Sequence, residues 1–241
     1  MTPAAVSAGL SHPGRVRTLN EDAFLRDDRR GLWAVADGMG GHAGGAEASA
    51  MVVDHLNGVR TGWAAPTALA ADVFGRLEDA HASIRAESAR TGRGPSGSTV
   101  VCLTSFDHHA LVVWCGDSRV YRFRPGHGLV QVTRDHSVVQ GLVDAGHIAE
   151  ADAETHPQAH VLTRAVGAGE TVEIDSTQFG LGHGDRLMLC TDGLTRLLTA
   201  HEIAEAMARR QSPEALCEAL VDAVLARGAP DNVTVVIVDF F

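Results

Sequence analysis

Seven short apolar runs, grouped together and not alternating with helices, limit what this chain can fold into. They are LWAVA (32–36), STVVCLTSF (98–106), ALVVWCG (110–116), RVYRF (119–123), VEIDSTQF (172–179), DRLMLC (185–190) and NVTVVIVDF (232–240). Each has the length and β-branched content of a strand and is bounded by turn residues. GDS (116–118) joins two of them at hairpin spacing. The helical stretches fall in an early pair and a late pair. Residues 44–57 are the first; over 67–89, Leu69, Val73, Leu77, Ala80 and Ile84 make one apolar stripe. Residues 200–210 are the third. Ser212-Pro213 opens the fourth, with Ser as cap and Pro in the first turn. There Leu216, Leu220 and Val224 share a face, and Gly228 stops the helix. Strands in runs, with helices kept apart from them, predict an α+β fold of antiparallel sheets with helices on their outer faces.

The chain has 241 residues, 45% of them apolar, enough for a sizeable core. No repeat and no Pro- or Ser-rich linker divides it, so a single domain over 1–241 is expected. Residues 135–160 are polar and His-rich, and they predict a surface insertion, a variable flap. Thirty acidic residues face twenty basic ones, every one of them Arg, for a net charge of −10. That excludes the broad basic face a nucleic-acid binder needs, but not a local basic spot for one phosphate. The four cysteines form no Cys-x-x-Cys pair. They are expected to be reduced core thiols in a cytoplasmic protein. The opening MTPAAVSAGLSHPGRVR lacks a charged start followed by an apolar core, so no secretory signal is expected, and no apolar stretch approaches the ~20 residues of a membrane span.

The first apolar run ends on a carboxylate and glycines: LWAVADGMGGH, residues 32–42. A turn would account for Asp37-Gly38, since both residues favour turns. The device recurs, however. LMLCTDGL delivers Asp192, VWCGDS delivers Asp117, and APDNVTVVIV presents Asp231 as a strand begins. If these acids converge, their mutual repulsion calls for a cation. Oxygen ligands suit Mg²⁺ or Mn²⁺, whereas zinc prefers His and Cys. VRTLNEDAF (16–24) adds Arg17, Glu21 and Asp22. Arg17 could form a surface pair with Glu21 at four-residue spacing. Beside an acid-held metal pair it could instead grip a phosphate as a fork. Together these groups suit hydrolysis of a phosphate ester.

The motifs VRTLNEDAF, VADGMGGHAGG, SGSTVV, CGDSRVYRF, TRDHS, VLTRAVG, LCTDGL and DNVTVVIV, in this order, resemble the metal-dependent Ser/Thr protein phosphatases of type 2C, in their compact bacterial form. The resemblance spans about residues 9–240. It implies a four-layer α-β-β-α sandwich, two antiparallel sheets flanked by helix pairs. It implies hydrolysis of phosphoserine and phosphothreonine by direct attack of a metal-activated water. The cofactor would be Mn²⁺ or Mg²⁺, two per site, with a third, weaker ion. By resemblance Asp37 bridges the two metals and the Gly38 carbonyl binds one. Asp192 and Asp231 complete the other shell, and Asp117 with Asp192 holds the third. Glu21 and Asp22 act through water, and Arg17 holds the substrate phosphate.

Some members carry a histidine directly after the Asp-Gly as general acid. Here that position is Met39, and His42, three residues on, is a candidate for the role or for closing the glycine loop. Ser98 and Thr99 are expected to pack or hydrogen-bond within a strand and not to act as nucleophiles, and Asn232 and Thr234 to brace the Asp231 loop. The expected partners are phosphorylated proteins, including a bacterial eukaryotic-type Ser/Thr kinase or its substrates; neither nucleic acid nor membrane is expected. The rival readings are a binding module that keeps the fold and a hydrolase of small phosphomonoesters or nucleotides. Against the latter, the chain has no Lys and so no Walker-type loop.

Overall fold

Alternate residues of the same strands enter different cores. In β3 (Leu32–Gly40), Leu32, Ala34 and Ala36 face one cluster while Trp33 and Val35 face another. In β11 (Val233–Phe240), Val233, Val235 and Ile237 join a third cluster, and Val236, Val238 and Phe240 return to the second. A strand buried on both faces reads as a continuous apolar run, which is why these segments lack polar alternation.

The structure is a computed structural model and describes residues 4–40, 44–60, 63, 65–92 and 94–241. Its first strands are β1 (Ala5–His12) and β2 (Asp22–Asp27). After β3 come the helices α1 (Gly44–Asn57) and α2 (Pro66–Thr91). Then follow β4 (Ser96–Ser98), β5 (Val100–Phe106), β6 (His109–Cys115), β7 (Arg119–Arg124) and β8 (Gly128–Gln131). The short helix α3 (Val138–Asp144) and a 3-10 turn (Glu150–Thr155) precede β9 (Asp175–Gly180) and β10 (Arg186–Cys190). The chain closes with α4 (Asp192–Thr195), α5 (Ala200–Ala208), α6 (Pro213–Ala226) and β11.

One sheet has the order β1-β11-β10-β7-β8 and the other β2-β3-β5-β6-β9, with β4 beside β3. All the pairings are antiparallel. The two sheets stack on the core containing Trp33 and Phe240, whose rings meet edge to face at 5.8 Å. Helices α1 and α2 cover the second sheet, while α5 and α6 cover the first. The expected four-layer α-β-β-α sandwich is the fold. The four cysteines are all buried and unpaired.

The helix ends follow from local chemistry. The Ser212 hydroxyl accepts from the Ala215 N–H, and Pro213 opens α6. Thr199 and Glu202 cap α5 reciprocally. Gly92, at φ 63°, ends α2 in the left-handed conformation that favours glycine.

Three expectations change. GDS is not a hairpin: it carries the chain from β6 in one sheet to β7 in the other. Gly116, at φ 107°, makes that crossover, and a Cβ there would lie 2.7 Å from Thr99. Nor does the first apolar run stop before its acid, for β3 continues through Asp37 to Gly40 and pairs with β4. Strands β1, β2 and β8 lie outside the seven runs, and β4 touches one only at Ser98. The 135–160 segment contains α3, capped by Ser137, and its ends are joined by a Val138 N–H to Val161 carbonyl bond of 2.8 Å.

Candidate active site

The antiparallel register of β2 and β3 places Asp22 opposite Asp37. Two carboxylates facing each other across a ladder are unfavourable alone, and the surrounding hydrogen bonds hold them there. Thr191 and Thr234 each donate a hydroxyl to Asp22 Oδ2, at 3.0 and 2.7 Å. Asp22 Oδ1 is buried without a partner. Burial, opposed by the two threonines and reinforced by the charges of Asp192 and Asp231, pushes Asp22 up to about 7.

Asp37 is fixed by its backbone. Its N–H donates to Thr99 Oγ1 at 3.1 Å, and its carbonyl accepts from the Thr99 N–H at 2.9 Å and from Ser98 Oγ at 3.1 Å. Burial, then the charges of Asp192, Asp22, Asp117 and Asp231, hold Asp37 well above the usual carboxylate range. The next residue has no room for a side chain. A Cβ on Gly38 would meet the Gly45 carbonyl oxygen at 2.0 Å and that of Glu21 at 2.6 Å. The glycine thus serves the packing of β3 against α1 and the Glu21 segment.

Asp117 sits at the β6–β7 crossover. Burial, then the charge of Asp192, pushes it up to about 7. Asp192 opens α4, and burial raises it despite the nearby Arg196 guanidinium. Asp231 precedes β11 and accepts from two arginines: Arg17 Nε at 3.0 Å and Arg196 Nη1 at 3.2 Å. Arg17 thus pairs with Asp231, not with Glu21 as the four-residue spacing allowed.

A cleft of about 560 Å³ gathers these groups: Arg17, Glu21, Asp37, Gly38, Asp117, Asp192 and Asp231 all line it. The Asp22 carboxylate is buried and does not line it, and His42 falls outside the described residues. Two lining residues were missed in the sequence. Arg196 stands four residues after Asp192, a helical spacing that was legible. His160, from the polar insertion, also lines the cleft and had no local signal. Asn232 braces the Pro13–Glu21 segment. Its amide donates to the Pro13 and Leu19 carbonyls, each at 2.9 Å, and its oxygen accepts from the Glu21 N–H at 2.8 Å.

Apart from the His160 imidazole, the donors facing the cleft are mainly carboxylate and carbonyl oxygens, the set preferred by Mg²⁺ and Mn²⁺. The unpartnered Asp22 oxygen and the raised carboxylates mark a place that favours added positive charge, so the residues fit a divalent metal. As the side chains stand, no three His, Cys, Asp or Glu among the described residues are placed to hold one ion, and Arg17 and Arg196 carry the positive charge against Asp231 and Asp192.

Comparison with known proteins gives two family matches that together cover most of the chain. Protein phosphatase 2C matches residues 14–141, and Stage II sporulation protein E (SpoIIE) matches residues 142–241. The serine/threonine protein phosphatase PstP of Mycobacterium tuberculosis is 38% identical over 96% of this chain. The match spans 44% of PstP, so the chain covers less than half of that relative's length. PppA, described as a key regulatory component of T6SS in Pseudomonas aeruginosa, superposes with a TM-score of 0.91 at 38% identity, over 100% of this chain and 99% of that one. The catalytic domain of PstP in complex with two manganese ions superposes with a TM-score of 0.87 at 33% identity, over 98% of this chain and 97% of that one. No helix among the described residues is long and apolar enough to cross a membrane.

Proposed function

The chain belongs to the protein phosphatase 2C family, and from that membership we propose that it is a metal-dependent protein serine/threonine phosphatase. It hydrolyses phosphoserine and phosphothreonine directly, with no covalent intermediate. In a bacterium it opposes a eukaryotic-type Ser/Thr kinase by acting on that kinase or its substrates. One observation carries this reading: Asp37, Asp117, Asp192 and Asp231, from four separate chain segments, line one cleft with Arg17.

The residues divide the work. Asp37, the Gly38 carbonyl, Asp192 and Asp231 hold two Mn²⁺ or Mg²⁺ ions, with Glu21 and Asp22 acting through water. Asp117 and Asp192 hold a third, weaker ion. When bound, the ions supply a water made nucleophilic and neutralise charge on the phosphoryl oxygens. Arg17, its side chain 54% exposed at the cleft rim, turns from Asp231 to grip the phosphate. His42 stays a candidate for delivering the leaving-group proton. The manganese-bound relative supports the choice of metal, and PstP supports the choice of substrate.

The test is phosphate release from a phosphothreonine peptide with Mn²⁺, with Mg²⁺ and with chelator, for the wild type and Asp192→Ala. Metal-dependent release lost in the variant is the expected result. Full activity in the variant, or a strong preference for nucleotides over the phosphopeptide, would overturn the assignment.

A further inference from the structure

The two sheets leave two edges close together on one side of the sandwich. Strand β8 ends the first sheet and pairs with β7 alone, while β9 ends the second and pairs with β6 alone. A groove of about 400 Å³ lies against them, lined by Arg122 and Arg124 of β7, His127, Val130 of β8, and Thr177 and Phe179 of β9. Its lining holds three basic side chains and no acidic one, on a chain of net charge −10.

The charge of this groove is only half compensated by the one carboxylate beneath it. Arg124 Nε and Arg122 Nη2 both lie on Asp185, at 2.6 and 3.1 Å, and the Asp185 side chain is 0% exposed. One buried carboxylate under two guanidiniums leaves positive charge facing outward. The Arg122 guanidinium also lies over the Phe179 ring, 4.7 Å from its centroid. Val130 is 58% exposed, so the groove offers an apolar contact beside the charge. Edge strands present unpaired backbone N–H and C=O groups to an incoming extended segment.

The groove is also connected to the cleft. Gln131 lines both the groove and a neighbouring cavity of about 490 Å³. That cavity shares Asp117, His160, Asp192 and Arg196 with the cleft. A chain bound at one place can therefore continue to the other.

We propose that this edge groove docks an extended acidic segment of the phosphoprotein substrate, away from its phosphorylated residue. The identity of the partner rests on the phosphatase reading; the chemistry of the segment rests on the groove. Its carboxylates meet Arg122, Arg124 and His127, an apolar side chain meets Val130 and Phe179, and its backbone adds to a strand edge. A nucleic acid shares the charge, and the uridine oligomer in the test separates the two.

The test uses the full chain and His127→Glu/Val130→Glu, two exposed changes outside the catalytic cleft, checked for an unchanged melting profile. A fluorescein-labelled peptide alternating Asp with Val, without phosphate, is titrated by anisotropy. Saturable binding to the wild type, weakened severalfold by the double change and by added salt, is expected. Next, a phosphothreonine peptide is compared with the same peptide extended by that acidic segment through about ten Gly/Ser residues. The extension lowers KM severalfold at unchanged kcat in the wild type and has no such effect in the variant. Equal binding by the two proteins, equal KM gains in both, or tighter binding of a uridine oligomer than of the peptide overturns the proposal. Absence of phosphate release from the short peptide would sink the phosphatase reading instead, and the anisotropy result would still decide the groove.

Discussion

Arg196 and Asp192 form an ion pair one helical turn apart. The Arg196 N–H donates to the Asp192 carbonyl at 2.9 Å, and its guanidinium closes on the Asp192 carboxylate. A divalent ion at Asp192 must compete with that positive charge. Arg196→Gln therefore binds Mn²⁺ more tightly, by about tenfold, equivalent to ~1.4 kcal/mol. Calorimetric titration with Mn²⁺ measures this directly; unchanged or weaker affinity would show that Arg196 does not compete for the acids.

Gly38→Ala tests the packing beneath the cleft. The added methyl would sit 2.0 Å from the Gly45 carbonyl oxygen, a backbone atom that no side-chain rotation can clear. Either β3 shifts away from α1 or the Glu21 segment moves, and overpacking of this kind costs about 1–3 kcal/mol. The variant is expected to melt several degrees lower and to lose phosphate release beyond what the stability change explains. A variant with wild-type melting and rate would mean that this contact is free to relax.

Most of the strands that the sequence disclosed, β3, β5, β6, β10 and β11, are buried on both faces, where a run of Val, Leu and Cys stands out; β7 and the exposed β9 were read from their β-branched and aromatic residues. β1, AVSAGLSH, and β2, DAFLRD, lie towards the sheet edges and carry Ser, Gly or charged residues, so their composition resembles loop. The crossover at GDS was misread because a short turn between strands looks the same within one sheet or between two. The acids of the cleft were legible because each stands beside a strong apolar run. Arg17 lines the cleft, but its partner comes from 214 residues away, beyond any spacing rule. His160 was invisible for a related reason, since an insertion reaches the cleft through tertiary packing and leaves no periodic trace.

Asn232 joins Asp231 to the Pro13–Glu21 segment by three hydrogen bonds, and no other residue type of that size can donate twice and accept once in that geometry. Asn232→Ala leaves the Glu21 N–H and two carbonyls without their partners, at a cost of about 2 kcal/mol. The melting temperature is expected to fall by roughly 4–8 °C. Because Arg17 rides on the same segment, KM for a phosphothreonine peptide should rise more than kcat falls. A fall in kcat alone, with KM unchanged, would mean that Asn232 acts on the chemistry and not on the position of Arg17.

His136, near the base of the 137–161 segment, makes stability depend on pH. Its Nδ1 accepts from the Gly116 N–H at 3.2 Å and its Nε2 faces Asp175 Oδ2 at 3.1 Å, which suits a neutral ring protonated at Nε2. The ring also stacks on Trp114. Burial pulls its pKa below the ordinary 6.5, and the Arg164 charge adds to that, outweighing the hydrogen bond and charge of Asp175. With the folded pKa below the unfolded one, the unfolded chain takes up a proton first as pH falls. The contribution of His136 is therefore fully present above about 6.5 and is lost below it, through the depressed folded pKa. Asp175, held below 3.8, acts in a more acidic window and does not mask the effect. Asp22, Asp37, Asp117 and Asp192, whose pKa values are raised by burial, favour the fold as pH falls and act in both proteins, so the difference between two proteins isolates His136. In urea melts between about pH 5 and pH 8, the stability of the wild type relative to His136→Asn, which keeps an acceptor for Gly116 but does not titrate there, should fall through the lower half of that range. Parallel profiles for the two proteins would assign the acid sensitivity to other groups.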